Sequence, residues 1–179
     1  MMEGEDILFQ SGFTFKKKFG QNFLTDNNLL RAIVQDAGVD ENTTVLEIGA
    51  GAGALTRMLA EKAKRVLSYE IDRDLKPVLE RTLAGCENAE VVFRDFMRED
   101  LKKLEQELGE YRVVANLPYY ITTPVVMRFI EEAKRCRCVC VMVQEEVAER
   151  FCASAGTPEY GAVTAAIARR GERPTRPRN

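Results

Sequence analysis

Residues 44–63, TVLEIGAGAGALTRMLAEKA, decide the fold, because the hydrophobic period changes in mid-course. Thr44 to Ile48 is a short apolar run of the kind that makes a strand buried on both faces, whereas Ala54 to Ala63 repeats its apolar residues at helical spacing. Between them Gly49, Gly51 and Gly53 stand at alternate positions. Glycines at a strand end let the backbone turn tightly and let a ligand approach where a Cβ would otherwise stand. The dinucleotide fingerprint is G-x-G-x-x-G; this loop is G-x-G-x-G, a spacing that suits a nucleoside with an amino-acid tail and need not seat a pyrophosphate on the helix N-terminus. No G-x-x-x-x-G-K-[ST] occurs in the sequence, which excludes a P-loop nucleotidase.

The alternation continues on both sides. Asp26 to Ala37 places Leu29, Leu30, Ile33, Val34 and Ala37 on one helical face. Downstream, RVLSYEID is a strand and DLKPVLERTLAGC a helix with Pro77 near its first turn. EVVFRD is a third strand, REDLKKLEQEL a helix with Leu101, Leu104 and Leu108 inward, and RVVANLP a fourth strand. PVVMRFIEEA is a helix opened by Pro124, CVCVMVQ a fifth strand, EEVAERFCASA a helix and YGAVTAAIA a sixth strand. Short strands separated by helices at this rhythm predict an α/β fold with right-handed crossovers and a doubly wound, mostly parallel sheet.

Chemistry-bearing residues fall at the strand ends. Glu70 closes the second strand of the alternation, where a carboxylate can accept hydrogen bonds from both hydroxyls of a ribose. Asp95 and Phe96 close the third, offering an acceptor for an adenine amino group and a ring to stack on it. As single residues these acids are equally well explained as helix caps. As an ordered set with the glycine loop they point to an adenosyl ligand, S-adenosylmethionine or NAD, with the glycine spacing favouring the former. Asn116-Leu117-Pro118-Tyr119 leaves the fourth strand. An exocyclic amine on a base is a poor nucleophile because its lone pair is delocalised. The Asn116 side-chain oxygen and the Leu117 backbone carbonyl could hold its hydrogens, Pro118 could fix that carbonyl, and Tyr119 could stack on the base. Such catalysis is positioning and hydrogen bonding, without a general base.

Composition narrows the classes further. The 179 residues suit one domain, and 45% hydrophobic with 30% charged residues excludes disordered and fibrous chains. The absence of histidine removes Ser-His and Cys-His nucleophile pairs and histidine zinc sites. The formal charge of −2 hides an asymmetry, since residues 169–179 hold five arginines and one acid while the rest carries 21 basic and 27 acidic residues. Any nucleic-acid contact must therefore come from a local patch. No apolar run approaches the roughly 20 residues that span a bilayer, and MMEGEDILFQ lacks the order of a signal peptide, so a cytoplasmic protein with no membrane partner is expected. Five cysteines do not suggest a disulfide framework. Cys136, Cys138 and Cys140 alternate and are expected on one face of a strand, as small buried hydrophobes rather than a metal or redox site; no metal is expected.

Phe19-Gly20-Gln21-Asn22-Phe23-Leu24, EIGAGAGALT, Glu70-Ile71-Asp72, Asp95, NLPY, Ile121-Thr122-Thr123-Pro124 and Gln144 to Arg150 together resemble the ribosomal RNA adenine N6,N6-dimethyltransferases, in order from about Lys16 to Ala168. The resemblance implies a Rossmann-like class I methyltransferase fold and S-adenosylmethionine as cofactor. It also implies dimethylation of two adjacent adenines in a hairpin near the 3′ end of small-subunit ribosomal RNA, on the immature small subunit. The cofactor contacts it implies fall at Asn22, Leu24, Gly49, Glu70, Asp95 and Asn116, with Gly51, Ile71 and Phe96 beside them. Lys16, Lys17 and Lys18 are candidate phosphate contacts. A sister group methylates a large-subunit adenine and confers macrolide resistance; Gly20 and Leu117 look more like the small-subunit group. Other readings are a non-catalytic RNA or ribosome-assembly binder, a DNA-adenine or protein-glutamine methyltransferase, and, most distant, an NAD-dependent oxidoreductase.

The sequence also departs from the family. Gln144-Glu145-Glu146 stands where Gln-Lys-Glu is usual, which removes a positive charge. The family continues into a seventh, antiparallel strand and a helical RNA-contacting domain, where this chain runs into RRGERPTRPRN. The expected organisation is an extension over 1–15, an incomplete methyltransferase domain over 16–168 and a basic tail over 169–179. Without the seventh strand, CVCVMVQ is expected to be an unpaired sheet edge open to self-association.

Overall fold

The computed structural model describes residues 8–11 and 27–142, Pro118 excepted. Its sheet has six strands: β1 (Leu8–Ser11), β2 (Thr44–Ile48), β3 (Arg65–Tyr69), β4 (Ala89–Val92), β5 (Tyr111–Asn116) and β6 (Cys136–Met142). All pair in parallel, in the order β1-β6-β5-β2-β3-β4. The helices are α1 (Asn27–Asp36), α2 (Ala54–Lys62), α3 (Lys76–Thr82), α4 (Leu101–Leu108) and α5 (Tyr119–Glu132). From β2 the chain runs outward through β3 and β4, then returns to the other side of β2 to lay down β5 and β6. The order therefore reverses between β2 and β5, and in such sheets the crevice at the strands' C-terminal ends at this switch point is where ligands bind.

Strand residues alternate between two helix layers, as the period of two requires. Leu46, Ile48, Leu67, Tyr69, Val113, Ala115, Val139 and Val141 pack with Leu101, Leu104 and Leu108 of α4 and Val125, Val126, Phe129 and Ile130 of α5. On the other face Val45, Val66, Val114 and Cys140 meet Leu30, Ile33 and Val34 of α1, Ala37 just after it, and Leu55 and Leu59 of α2. The expected doubly wound α/β architecture is thus present. Glu105 of α4, itself buried, joins one layer to the sheet: its carboxylate accepts from Tyr111 Oη at 2.7 Å and from the backbone N–H groups of Lys134 and Arg135 at 3.0–3.1 Å, holding the turn that feeds β6.

Three expectations are corrected. The helix expected to open at Pro124 begins at Tyr119, with Pro124 inside it. A proline there gives up only the helical bond to the carbonyl four residues before it. The three alternating cysteines do not share a face. Tyr111 stands opposite Cys136 but its neighbour Arg112 stands opposite Cys138, so Arg137 is an extra residue and the bulge reverses the alternation. Cys136 consequently packs with Val139 and Val141, and Cys140 in the opposite layer. All three are buried, and burial pushes their thiols up, as befits small core residues. Finally, β6 is not an unpaired edge, because Leu8–Ser11 lies beside it with Leu8 opposite Cys138 and Ser11 opposite Val141. The expected strand YGAVTAAIA, the helix before it and the basic tail lie outside the described residues.

Candidate active site

A cleft of about 300 Å³ opens at the switch point, lined by the C-terminal ends of four neighbouring strands. Ile48, Gly49 and Gly51 come from the end of β2 and the loop after it, Tyr69, Glu70 and Ile71 from the end of β3 and the turn after it, Arg94 to Met97 from the segment after β4, and Asn116 and Leu117 from the end of β5 and the residue after it; Ile121 and Val125 of α5 complete it. Gly49, Gly51, Glu70, Ile71, Asp95, Phe96, Asn116 and Leu117, expected from sequence, are brought together here.

The glycine loop is needed in two different ways. Gly49 has φ +92°, and a Cβ on it would stand 2.7 Å from the Asn116 backbone oxygen, so β2 and β5 can meet at the cleft only through a glycine. Gly51 has φ +57° and nothing within 4 Å of where its Cβ would be, which leaves open space for a ligand against the backbone. The loop is fastened from the side: Gly51 N–H donates to Glu70 Oε1 at 2.8 Å, and Glu70 Oε2 accepts from Asp72 N–H at 2.9 Å. Each carboxylate oxygen has a further lone pair, so Glu70 can hold the loop and still accept from ribose hydroxyls.

At the β4 end Asp95 caps a short turn, its Oδ1 accepting from Met97 N–H at 3.0 Å. Ile71 and Met97 are 63% and 38% exposed, two of the three exposed large hydrophobic residues among the described ones, and both line the cleft. Apolar side chains left in water on a concave site suit a flat ring between them, with Asp95 beside them for a ring amino group. Phe96 turns inward instead. It is buried, stacked on Phe129 at 5.4 Å and edge-on to Tyr69 at 5.6 Å, so it builds the floor rather than presenting a free face. Arg128 lies 5.0 Å over that ring and donates to the carbonyls of Phe96 and Glu99, which fixes the turn carrying Asp95. Tyr69 donates its hydroxyl to Glu99 at 3.3 Å; burial, and then the Glu99 charge, push its phenol up to about 12.

At the β5 end Asn116 and Leu117 face the cleft. The buried Thr122 hydroxyl donates to the Leu117 carbonyl at 3.5 Å, a contact the sequence alone does not reveal. Arg94, Met97, Ile121 and Val125 are further lining residues missed from sequence; the four-residue spacing of Ile121 and Val125 was the available signal for one helix face. Asn22, Leu24 and Lys16 to Lys18 lie outside the described residues, as do Pro118 and the Tyr119 side chain. Among the described residues no group of three or more acids and cysteines is placed to hold a metal ion, and no helix is long and apolar enough to cross a membrane.

Residues 12–169 match the family model described as ribosomal RNA adenine dimethylase. The chain is 46% identical over 167 residues to the ribosomal RNA small subunit methyltransferase A of Bacillus licheniformis, covering 91% of this chain and 57% of that protein. Among solved structures it is similar to a dimethyladenosine transferase from Plasmodium falciparum, with a TM-score of 0.69, 28% identity and coverage of 80% and 50% of the two chains. It is also similar to the 23S rRNA methyltransferase ErmE, with a TM-score of 0.65, 30% identity and coverage of 88% and 57%. The chain thus spans little more than half the length of the curated relatives it matches.

Proposed function

We propose that this chain, which belongs to the ribosomal RNA adenine dimethylase family, binds S-adenosylmethionine in the switch-point cleft and presents an RNA adenine to it for N6 methylation. The observation that carries the reading is the convergence of Gly51, Glu70, Asp95 and Asn116, one from each of four successive strand ends, on a single cleft. The cofactor, when bound, supplies an electrophilic methyl group on a sulfonium. Open space at Gly51, two carboxylates and the exposed Ile71 and Met97 fit its adenosyl part, with Asn22 and Leu24 as further contacts from the segment before α1.

The protein's work is positioning. The Asn116 side-chain oxygen and the Leu117 carbonyl accept the two amine hydrogens, which draws the nitrogen toward tetrahedral geometry and frees its lone pair. The Thr122 hydroxyl stands 3.5 Å from the Leu117 carbonyl, Pro118 restricts the backbone there and Tyr119 stacks on the base. The proton lost from nitrogen passes to water, so the chain's lack of histidine is no obstacle.

The substrate we infer is the pair of adjacent adenines in the hairpin near the 3′ end of small-subunit ribosomal RNA, dimethylated on the immature subunit in the cytoplasm during ribosome biogenesis. Greater identity to the small-subunit relative, 46% against 30% for the 23S enzyme, supports the small over the large subunit. Lys16 to Lys18 contribute phosphate contacts, and residues 16–168 form the methyltransferase domain between a 1–15 extension, whose Leu8–Ser11 strand adds to the domain's sheet, and the 169–179 tail. The test is transfer of labelled methyl from the cofactor to unmethylated small subunits, with Asn116→Ala as control. Label in the adenine pair with the natural chain alone is expected; no label, with cofactor bound, would make the chain a non-catalytic binder.

A further inference from the structure

Beneath the glycine loop lies an acid that the chemistry above does not use. Glu47, the fourth residue of β2, is 1% exposed. Its Oε1 accepts from the hydroxyl of Thr56, in the first turn of α2, and from Ser68 Oγ of β3 at 2.7 Å. Its Oε2 is buried with no hydrogen-bond partner, an arrangement costly enough to ask what it does. Glu47 immediately precedes Ile48 and Gly49, which line the cleft, and it ties the strand before the loop to the helix after it.

The cation on this face of the neighbouring strand is Arg112 of β5, which stands opposite Val45 and donates to the Ala37 carbonyl at 3.1 Å. Opposite Glu47 stand Ser68 on β3 and Val114 on β5. From α2 the buried residues of this layer are Leu55, Thr56, Leu59 and Ala60, while Arg57 and Glu61 pair in solvent. From α1 and the turn after it come Leu30, Ile33, Val34 and Ala37, and the acid Asp36 bears on the Cys140 thiol. The charge that reaches Glu47 is that of Glu70, whose carboxylate holds Gly51. Burial, opposed by the two hydroxyl bonds and reinforced by Glu70, pushes the Glu47 carboxyl up to about 7. Two carboxyls thus bracket one loop, and they repel each other when both are ionised. A cation resting on the loop relieves that repulsion; a neutral ligand in the same place does not.

We propose that Glu47 is a positioning residue that senses ligand charge: it releases its proton to solvent when the sulfonium cofactor occupies the glycine loop and regains one when the neutral thioether product replaces it, favouring cofactor over product. This rests on the reading of the cleft as an S-adenosylmethionine site.

The test is calorimetric binding of S-adenosylmethionine and S-adenosylhomocysteine to the natural chain and to Glu47→Gln, at about pH 6 and about pH 8. The ligands' own titration is common to both proteins and cancels in the comparison. In the natural chain the preference for S-adenosylmethionine should rise about fivefold across this range, beyond any change in the variant. Equal changes in the two proteins would overturn the proposal and leave the cofactor reading standing. If neither ligand binds the natural chain at either pH, the cofactor reading falls and this proposal with it. Should Glu47→Gln fail to fold, titration of the natural chain in buffers of different ionisation enthalpy counts protons directly. More protons should then be released with the sulfonium ligand than with the thioether, after correction for the free ligands; equal release would overturn the proposal.

Discussion

The Gly51 backbone N–H donates to Glu70 Oε1 at 2.8 Å, across 19 residues of sequence, so the loop that would meet a ligand is anchored by the acid that would grip its ribose. The two functions need each other. A loop with glycine at three of five positions has much backbone freedom, and a single carboxylate at the next strand end restricts it before a ligand arrives. The second oxygen, bound to Asp72 N–H at 2.9 Å, fixes the carboxylate's own orientation.

The two cleft-lining glycines should respond differently to alanine. At Gly49 the new Cβ meets the Asn116 carbonyl at 2.7 Å in a backbone with φ +92°, so Gly49→Ala should lose about 3 kcal/mol or more. At Gly51 there is space, and Gly51→Ala should lose only about 1–2 kcal/mol while its methyl intrudes on the ligand's side of the loop. Urea unfolding of both variants, with cofactor titration of the second, checks this. A fully stable Gly49→Ala would contradict the close approach of β2 and β5.

The architecture was legible because a parallel strand buried on both faces reads as a short, mainly apolar run, and β2, β3 and β5 do so despite Glu47, Ser68 and Arg112 within them. What escaped is what depends on distant partners. LFQS is too short to announce a strand, and Leu8–Ser11 becomes one only because β6 offers it a row of hydrogen bonds. The bulge at Arg137 changes the cysteines' parity without any local sign in CRCVCVM. At the site, Glu70, Asp95 and Asn116 were readable since strand ends place them; Ile71 and Phe96 took different parts, one exposed and one in the floor, because the turns after β3 and β4 decide which side chain faces out. Thr122 and Arg128 act on carbonyls, which sequence pattern does not show.

Glu47 also sets a pH dependence of stability. Its carboxyl is raised in the folded chain to about 7 from an ordinary value of 4.5, so the folded state favours the protonated form. The stabilisation is full below the ordinary value and is lost as pH rises toward and through about 7, a change of roughly 3 kcal/mol from this group. Denaturant unfolding at mildly acidic and mildly alkaline pH should show the natural chain losing stability relative to Glu47→Gln as pH rises. Parallel profiles would contradict it.

Removal of residues 1–11 should expose what β1 covers. Its pairing with Cys138 to Val141 is the contact that keeps β6 from being a bare edge among the described residues. The shortened chain should melt at a lower temperature and associate with increasing concentration, as measured by light scattering. A monomer with an unchanged melt would mean that β1 contributes nothing to the sheet in solution.

Whether the cleft between β2 and β5 holds S-adenosylmethionine is decided by calorimetric titration of the natural chain beside Glu70→Ala. One site is expected on the natural chain, with an affinity lowered at least about tenfold in the variant, which loses both the ribose acceptor and the anchor of Gly51. Absence of binding to the natural chain, or equal affinity in the two proteins, would contradict it.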